Sequence, residues 1–217
     1  MHVELFLDVL SSWCLLAAPA WERLRSAYAG RVRFAWSIAL VERADANGYT
    51  RESMDWYYRR TAKMTGERLN PAWIDGPQTG TLNANRVAVA ARSLGVDDDR
   101  VWIALANAAM RDGLPMGRLE AAVDVAARAG GLDAVRLRAR AEDEDVFVSI
   151  RDSTDRFRQL GLPQRPSFIV TDDIGDEVRL SGIWTYAPIA AAIDALIADV
   201  DGYRVYMMDA EPEPPRL

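Results

Sequence analysis

Cysteine and histidine are almost absent from this chain of 217 residues, which holds one of each, Cys14 and His2. A single cysteine excludes a disulfide within the chain, and the two residues together are too few for a zinc site built from Cys and His. A Ser–His or Cys–His catalytic pair would need His2 as its base. We therefore expect no bound metal, and no such pair unless His2 contributes to it.

Long apolar runs and basic patches are also missing. No segment approaches the ~18 apolar residues of a membrane span, and Asp8 interrupts the apolar N-terminus, which therefore does not resemble a secretory signal. We expect a cytoplasmic protein with no membrane partner. The net charge of −6 and a pI near 4.9 would repel a polyanion, so we expect no nucleic-acid partner either.

What the sequence does contain is typical of a globular protein, with 50% hydrophobic and 27% charged residues. Residues 3–9 and 32–40 are predicted to be strands, and residues 20–28, after Pro19, a helix between them. Two strands joined in this way form a right-handed β-α-β unit. Residues 166–170 and 177–180 are predicted to form a β-hairpin with its turn at 172–176, followed by a last helix over 187–200.

Between the two strand regions, the sequence predicts only helices. Gly and Pro residues separate the helical patterns. The predicted helices are 51–65, 83–94, 99–111, 116–129, 133–141 and 144–160. The acidic runs 97–99 and 142–145 lie at helix starts, where acidic side chains favour the helix dipole, and we interpret them as solvated caps. The predicted order is therefore β-α-β, a helical block, and β-β-α.

The loop that leaves the first strand is the candidate site on physical grounds. Residues 11–14 read Ser-Ser-Trp-Cys and open the first helix, where unpaired backbone N–H groups and the positive end of the helix dipole stabilise an anion or a thiolate. A thiol at such a helix start has a lowered pKa. A hydroxyl there can donate a hydrogen bond to a thiolate brought by another molecule.

This order of elements, the four-residue loop and Pro166 at the start of the third strand resemble the thioredoxin fold of the DsbA superfamily. The resemblance covers residues 3–200 and implies an α/β protein. Its thioredoxin-like domain would comprise residues 1–49 and 162–200, its helical insertion 50–161, and its C-terminal tail 201–217. The sequence is similar to actinobacterial DsbA-like oxidoreductases, kappa-class glutathione transferases and 2-hydroxychromene-2-carboxylate isomerases.

The resemblance also implies roles for the loop. The oxidoreductases carry Cys-x-x-Cys there, whereas the transferases and isomerases carry Ser-Pro-Tyr-Ser. Ser11 matches the first, reactive position and Cys14 the second, so these two are the candidate catalytic residues. Ser12 and Trp13, between them, are candidates for binding the cofactor.

Three further segments match the family. Residues 161–170 resemble the segment with the cis-proline, in which the backbone of Arg165 would meet a bound thiol and Pro166 would form a wall. Trp184 and Thr185 lie where relatives grip glutathione through an aspartate, and that aspartate is absent here. Residues 82–86, with Asn83, resemble a helix start that contributes to the substrate pocket, to which we also assign the aromatic residues Trp56 and Tyr57.

The function that the resemblance implies is a thiol-dependent isomerase or transferase acting on a small conjugated or aromatic substrate. Its cofactor would be a low-molecular-weight thiol, glutathione or an equivalent, with Ser11 stabilising the thiolate. Relatives are often dimers, so a homodimer is the expected assembly. The alternatives are an oxidoreductase that forms mixed disulfides through Cys14, and a non-catalytic protein that binds a small ligand.

The same residues have simpler interpretations. Ser11 could be only a helix cap, since serine is favoured there, and Cys14 only a small buried hydrophobic residue. A serine without a base is also a poor nucleophile. The aromatic residues could belong to the core rather than to a pocket.

Overall fold

The fold combines one four-stranded sheet with eight helices in a computed structural model that describes residues 1–41, 50–75 and 80–209. The elements in chain order are β1 (His2–Leu7), α1 (Ser12–Ala27), β2 (Arg33–Ile38), α2 (Arg51–Thr65), α3 (Leu82–Ser93), α4 (Arg100–Met110), α5 (Leu119–Gly130), α6 (Ala134–Glu142), α7 (Glu144–Gln159), β3 (Ser167–Thr171), β4 (Glu177–Ser181) and α8 (Tyr186–Asp209). The predicted element order is confirmed, with a helical region between β2 and β3. No helix of the described ranges is long and apolar enough to cross a lipid bilayer.

The sheet is mixed and has the strand order β2-β1-β3-β4. β1 runs parallel to β2 and antiparallel to β3, and β3 pairs with β4 as an antiparallel hairpin. Leu5 of β1 lies opposite both Trp36 and Phe168. The central position of β1 explains its almost continuous apolar sequence, because both of its faces are covered.

Alternate residues of β1 point to opposite faces of the sheet, as the two-residue period of a strand requires. Leu5 and Leu7 belong to the main core, to which α1 contributes Trp21 and α8 contributes Ile193. Phe6 belongs to a smaller cluster on the opposite face, where its ring centroid is 5.6 Å from that of Phe157 on α7. The sheet is therefore enclosed between helices on both sides.

The main core continues without a break from the sheet into the helical region. α3 is central to that region and packs against α4, α5, α6 and α7. Its buried alanines, such as Ala84, Ala88 and Ala91, are small enough to let these neighbours approach closely. α4 also packs against α1, so the helical region is joined to the helix that opens the candidate site.

Helix α1 is longer than the sequence predicts, because it begins at Ser12 and contains Pro19. The prediction placed the helix after Pro19, since proline lacks an N–H and costs ~3 kcal/mol or more inside a helix. Here the helix buries apolar side chains on both sides of the proline, including Leu15 and Trp21, while Pro19 itself is exposed. Burial of ~1.5–3 kcal/mol per large side chain outweighs the cost of the proline.

Helix α8 extends beyond its predicted end at residue 200. Val200 is the last hydrophobic residue of the helix that is buried among the described residues. The helix nevertheless continues to Asp209, and Arg204 forms an ion pair with Asp201 at 3.2 Å along it. The first part of the segment predicted as a tail is therefore helical, and residues 210–217 lie outside the described residues.

Asp99 also differs from its prediction as a solvated cap. It precedes α4, but its side chain is buried and makes no capping hydrogen bond. Its carboxylate accepts hydrogen bonds from the indoles of Trp21 at 2.9 Å and Trp102 at 3.0 Å, and from Arg25. Three donors from α1 and α4 compensate the burial of the charge, so Asp99 links the two helices.

Candidate functional site

The first turn of α1 presents backbone donors that no helical acceptor satisfies. Ser11 is the N-cap residue, and its carbonyl accepts the first helical hydrogen bonds, from Cys14 N at 3.0 Å and Leu15 N at 3.1 Å. The N–H groups of Ser12 and Trp13 precede these bonds and so have no acceptor within the helix. The Ser11 side chain makes no capping hydrogen bond. Its hydroxyl is therefore not used to cap the helix, and it lies within hydrogen-bond reach of the Cys14 thiol.

A buried carboxylate holds the loop before this turn in place. Asp8 is fully buried, and its two oxygens accept hydrogen bonds from Leu10 N (2.9 Å), Val41 N (3.0 Å), the Thr81 hydroxyl (2.8 Å) and the Asn85 amide (3.0 Å). The side-chain oxygen of Asn85 also accepts from Val9 N, at 3.0 Å. The end of β1, the chain after β2 and the start of α3 are thus fixed to one another, which positions the N-terminus of α1.

A cleft of about 540 Å³ opens in front of this N-terminus. That volume is within the range of ~300–1,000 Å³ that small-molecule sites occupy. Six of the residues assigned to the site from sequence line it: Ser11, Ser12, Trp13, Tyr57, Arg165 and Trp184. The cleft therefore lies between α1, α2 and the two ends of the β-hairpin.

Two tryptophans and the segment before β3 form the walls of the cleft nearest to Ser11. The ring centroids of Trp13 and Trp184 are 6.0 Å apart with a tilt of 50°. The Arg165–Pro166 peptide bond is cis, and Pro166 is buried. The guanidinium of Arg165 donates to the carbonyls of Ala39 and Leu40, at 2.5 and 2.6 Å, and so ties this segment to the end of β2.

The charges at the cleft favour an anion. Among the described residues that line it, the two charged ones are Arg60 and Arg165, and none is acidic. Together with the N–H groups of Ser12 and Trp13 and the positive end of the α1 dipole, they stabilise negative charge at the mouth of the helix. The arrangement fits a small, partly apolar ligand that carries a negative charge.

Cys14 lies behind this surface rather than on it. Its side chain is 2% exposed, and Cys14 is not among the described residues that line the cleft. Burial raises the pKa of its thiol from 9.0 to about 12, although hydrogen bonds with the Ser11 side chain and the Asp8 backbone act in the opposite direction. The lowered pKa expected for a thiol at a helix start is therefore wrong for Cys14, because desolvation outweighs the helix terminus.

Four other candidates from the sequence are not among the described lining residues. One is Pro166, which was predicted to form a wall of the site but is buried behind Arg165 in the chain. Trp56 is exposed, and its neighbour Tyr57 is the residue that lines the cleft. Adjacent side chains on a helix point about 100° apart, so Trp56 is not directed into the cleft as Tyr57 is. The amide of Asn83 donates to the carbonyl of Gly117 at 2.8 Å, inside the helical region. Thr185 is exposed next to Trp184.

The structure also adds lining residues that the sequence analysis missed: Leu10, Val41, Met54, Arg60, Met64, Gln164 and Gly182. The residues from α2 could have been found, since positions 54, 60 and 64 lie on the same helical face as Tyr57. Gly182 is the first residue of the segment 182–185, in which the resemblance singled out only Trp184 and Thr185. Its φ is +72° and its N–H donates to the Pro166 carbonyl at 2.9 Å, a tertiary approach that no local pattern encodes.

Comparison with known families matches residues 2–193 to the model of the DSBA-like thioredoxin domain. A sequence comparison with curated proteins gives no match. The family match spans the sheet, the helical region and the first third of α8, and it includes every residue of the cleft described above.

Solved structures share the fold at low sequence identity. The cytosolic disulfide reductase DsbM from Pseudomonas aeruginosa is 18% identical, with a TM-score of 0.70 over 94% of this chain and 98% of that one. A structure of DsbM with GSH has a TM-score of 0.67 at 16% identity, with the same coverage. A 2-hydroxychromene-2-carboxylate isomerase is 14% identical, with a TM-score of 0.61 over 98% of this chain and all of that one.

Proposed function

The chain belongs to the DSBA-like thioredoxin domain family, and within that family we propose that it is a thiol-dependent isomerase or transferase rather than a dithiol oxidoreductase. The proposed cofactor is a low-molecular-weight thiol, glutathione or an equivalent. Its sulfur would lie at the N-terminus of α1, and a small conjugated or aromatic substrate would occupy the rest of the cleft.

The observation that carries this proposal is that a serine occupies the accessible first position of the loop, whereas the cysteine occupies the buried last position. The position that lines the cleft is a serine, Ser11, whereas the only cysteine of the chain, Cys14, is buried with a raised pKa. A dithiol oxidoreductase needs a reactive thiolate at the accessible position and a second cysteine to resolve the mixed disulfide. The chain has neither, so the reactive sulfur would have to come from a bound molecule.

The residues of the cleft fit such a thiol. The Ser11 hydroxyl and the N–H groups of Ser12 and Trp13 would donate hydrogen bonds to the sulfur, and the α1 dipole would favour its ionised form. When bound, the thiol would supply a nucleophile that adds reversibly to a conjugated carbonyl compound. Arg60 would attract an anionic part of the cofactor or substrate, and the rings of Trp13 and Trp184 would orient the reactants and exclude water.

Two relatives support parts of this proposal. DsbM has been solved with GSH, and the isomerase shares the fold over nearly the whole chain. We also infer a cytoplasmic location, where low-molecular-weight thiols remain reduced and where a protein with one buried cysteine is typical. The aspartate that relatives carry in the segment matching residues 182–185 is absent here, so the end of the cofactor far from its sulfur must be held by other residues.

The experiment is a thermal-shift titration with glutathione, with S-methylglutathione as the matched ligand that cannot form a thiolate. We expect glutathione to raise the melting temperature of the wild type more than S-methylglutathione does. Ser11→Ala should remove this preference, because a hydrogen bond to a charged group contributes about 1.5–3 kcal/mol, or roughly 10- to 100-fold in affinity.

Cys14→Ala is the control and should keep the preference. The reverse pattern, in which Cys14→Ala loses thiol binding and Ser11→Ala keeps it, would support the oxidoreductase. If neither glutathione nor cysteine nor coenzyme A stabilises the wild type, the protein is better explained as a binding protein for another small ligand.

A further inference from the structure

Three aspartates meet at the edge of the molecule where the β-hairpin turns. Asp172 and Asp176 lie at the two ends of the turn between β3 and β4, and Asp199 lies on α8. One carboxylate oxygen from each lies within 4.8 Å of the other two. Asp172 is buried, with 7% of its surface exposed, whereas Asp176 and Asp199 are exposed.

Asp172 has one oxygen with a structural role and one without. Its Oδ1 accepts hydrogen bonds from the N–H groups of Ile174 (3.0 Å), Gly175 (2.8 Å) and Asp176 (2.8 Å), which shape the turn. Its Oδ2 is buried and has no hydrogen-bond partner among the described residues. An ionised carboxylate can only accept, and burying it without a donor or a cation costs free energy. A bound cation would compensate this oxygen.

The N-terminal amine and Arg204, both close to this turn, pair with other residues. The N-terminal amine lies 2.5 Å from Asp173, and Arg204 lies 3.9 Å from Asp173 and 3.2 Å from Asp201. Within the described part of the chain, no ion pair includes Asp172, Asp176 or Asp199. Three carboxylates thus converge without an ion pair among the described residues, and Arg33, which lines a surface pocket with Asp172, forms none with them.

We propose that Asp172, Asp176 and Asp199 bind a hard divalent cation, and that this cation is Ca²⁺. Ligands that are all carboxylate oxygens favour Ca²⁺ or Mg²⁺ over metals that prefer nitrogen or sulfur. Ca²⁺ takes six to eight oxygens at about 2.3–2.6 Å in flexible geometry, so oxygens on opposite sides of it lie up to ~5 Å apart. Three oxygens within 4.8 Å of one another fit inside that sphere.

Mg²⁺ is the poorer match. It requires a near-ideal octahedron with ligands at about 2.0–2.1 Å and gives up its bound water reluctantly. A site with one buried and two exposed carboxylates suits the larger ion, which completes its sphere with water. Binding would join the hairpin turn to α8, because Asp199 is the only one of the three ligands that belongs to the helix.

The test is the stability of the full chain as a function of Ca²⁺ concentration, measured by urea unfolding after treatment with a chelator. With the affinity of an exposed site, a Kd of about 10⁻⁴–10⁻³ M, about 10 mM Ca²⁺ should raise the ratio of folded to unfolded protein roughly 10- to 100-fold. Asp199→Asn and Asp176→Asn should remove this gain. Without Ca²⁺ both variants should be as stable as the wild type or more so, since each removes a like charge.

Asp201→Asn is the matched control, because Asp201 is also an exposed aspartate of α8 but lies outside the cluster. It should keep the full response to Ca²⁺. The proposal is overturned if Ca²⁺ gives no saturable gain, or if Asp199→Asn responds as the wild type does. An equal gain from the same concentration of Mg²⁺, lost in Asp199→Asn, would overturn the assignment of the ion as Ca²⁺.

Discussion

The reactivity of Cys14 tests the assignment of the sulfur chemistry to a bound molecule. Thiol reagents attack the thiolate, so the rate of labelling follows the fraction of ionised thiol. Burial raises the pKa of Cys14 from 9.0 to about 12, which lowers the thiolate fraction near neutral pH roughly 1,000-fold. Because the side chain is also 2% exposed, we expect labelling of the folded protein to be at least that much slower than labelling of the unfolded chain.

The assay compares the rate of disulfide exchange with Ellman's reagent in buffer and in denaturant. A matched control moves the thiol by one helical turn, by placing Ser11→Cys in a Cys14→Ala background. Ser11 lines the cleft, and the free N–H groups of the first turn lower the pKa of a thiol there, so this variant should be labelled rapidly while folded. The reasoning is refuted if native Cys14 reacts within about tenfold of the unfolded rate.

Two further predictions concern stability. Asp8→Asn should lower the free energy of unfolding, measured in urea, by about 1–3 kcal/mol. The new amide N–H₂ group would face the N–H of Val41, and this partly buried donor would lose its acceptor. An effect as small as that of the exposed Asp201→Asn would contradict the role of Asp8. Above pH 9 the unfolded chain loses the Cys14 proton while the folded protein retains it, since the folded pKa is about 12. Stability should therefore fall with rising pH between these two values, with Cys14 contributing about 1.4 kcal/mol per pH unit, and Cys14→Ser should show a shallower fall in the same urea series.

The sequence predicts the fold well because its patterns are local. The apolar run of β1 and the helical periodicity of residues 51–65 need no tertiary information, and the second of these matches α2 at both ends. The errors occur where tertiary contacts override local preference. The sequence predicts that α1 begins after Pro19, but the burial of Leu15 and Trp21 extends the helix through the proline.

The site could be predicted only in part, for a related reason. The loop from Ser11 to Trp13 lies on a strand-to-helix junction, a position that the element order alone reveals. Whether Cys14 is reactive depends on its burial, which comes from neighbours distant in sequence. The hydrogen bond between Asn85 and Asp8 also could not be predicted, because 77 positions separate the two residues. At this helix start the sequence favours Asn83 instead as the pocket residue.

The hydrogen bonds around Asp8 have a consequence for protein engineering. The side chains that fix the loop before α1, Thr81 and Asn85, belong to the helical region and not to the sheet. A chimera that grafts this region from a distant homologue, or a shortened scaffold that omits it, would leave the buried Asp8 carboxylate with only its two backbone donors, Leu10 N and Val41 N. Such designs must carry a hydroxyl and an amide at the two grafted positions, or exchange Asp8 together with them.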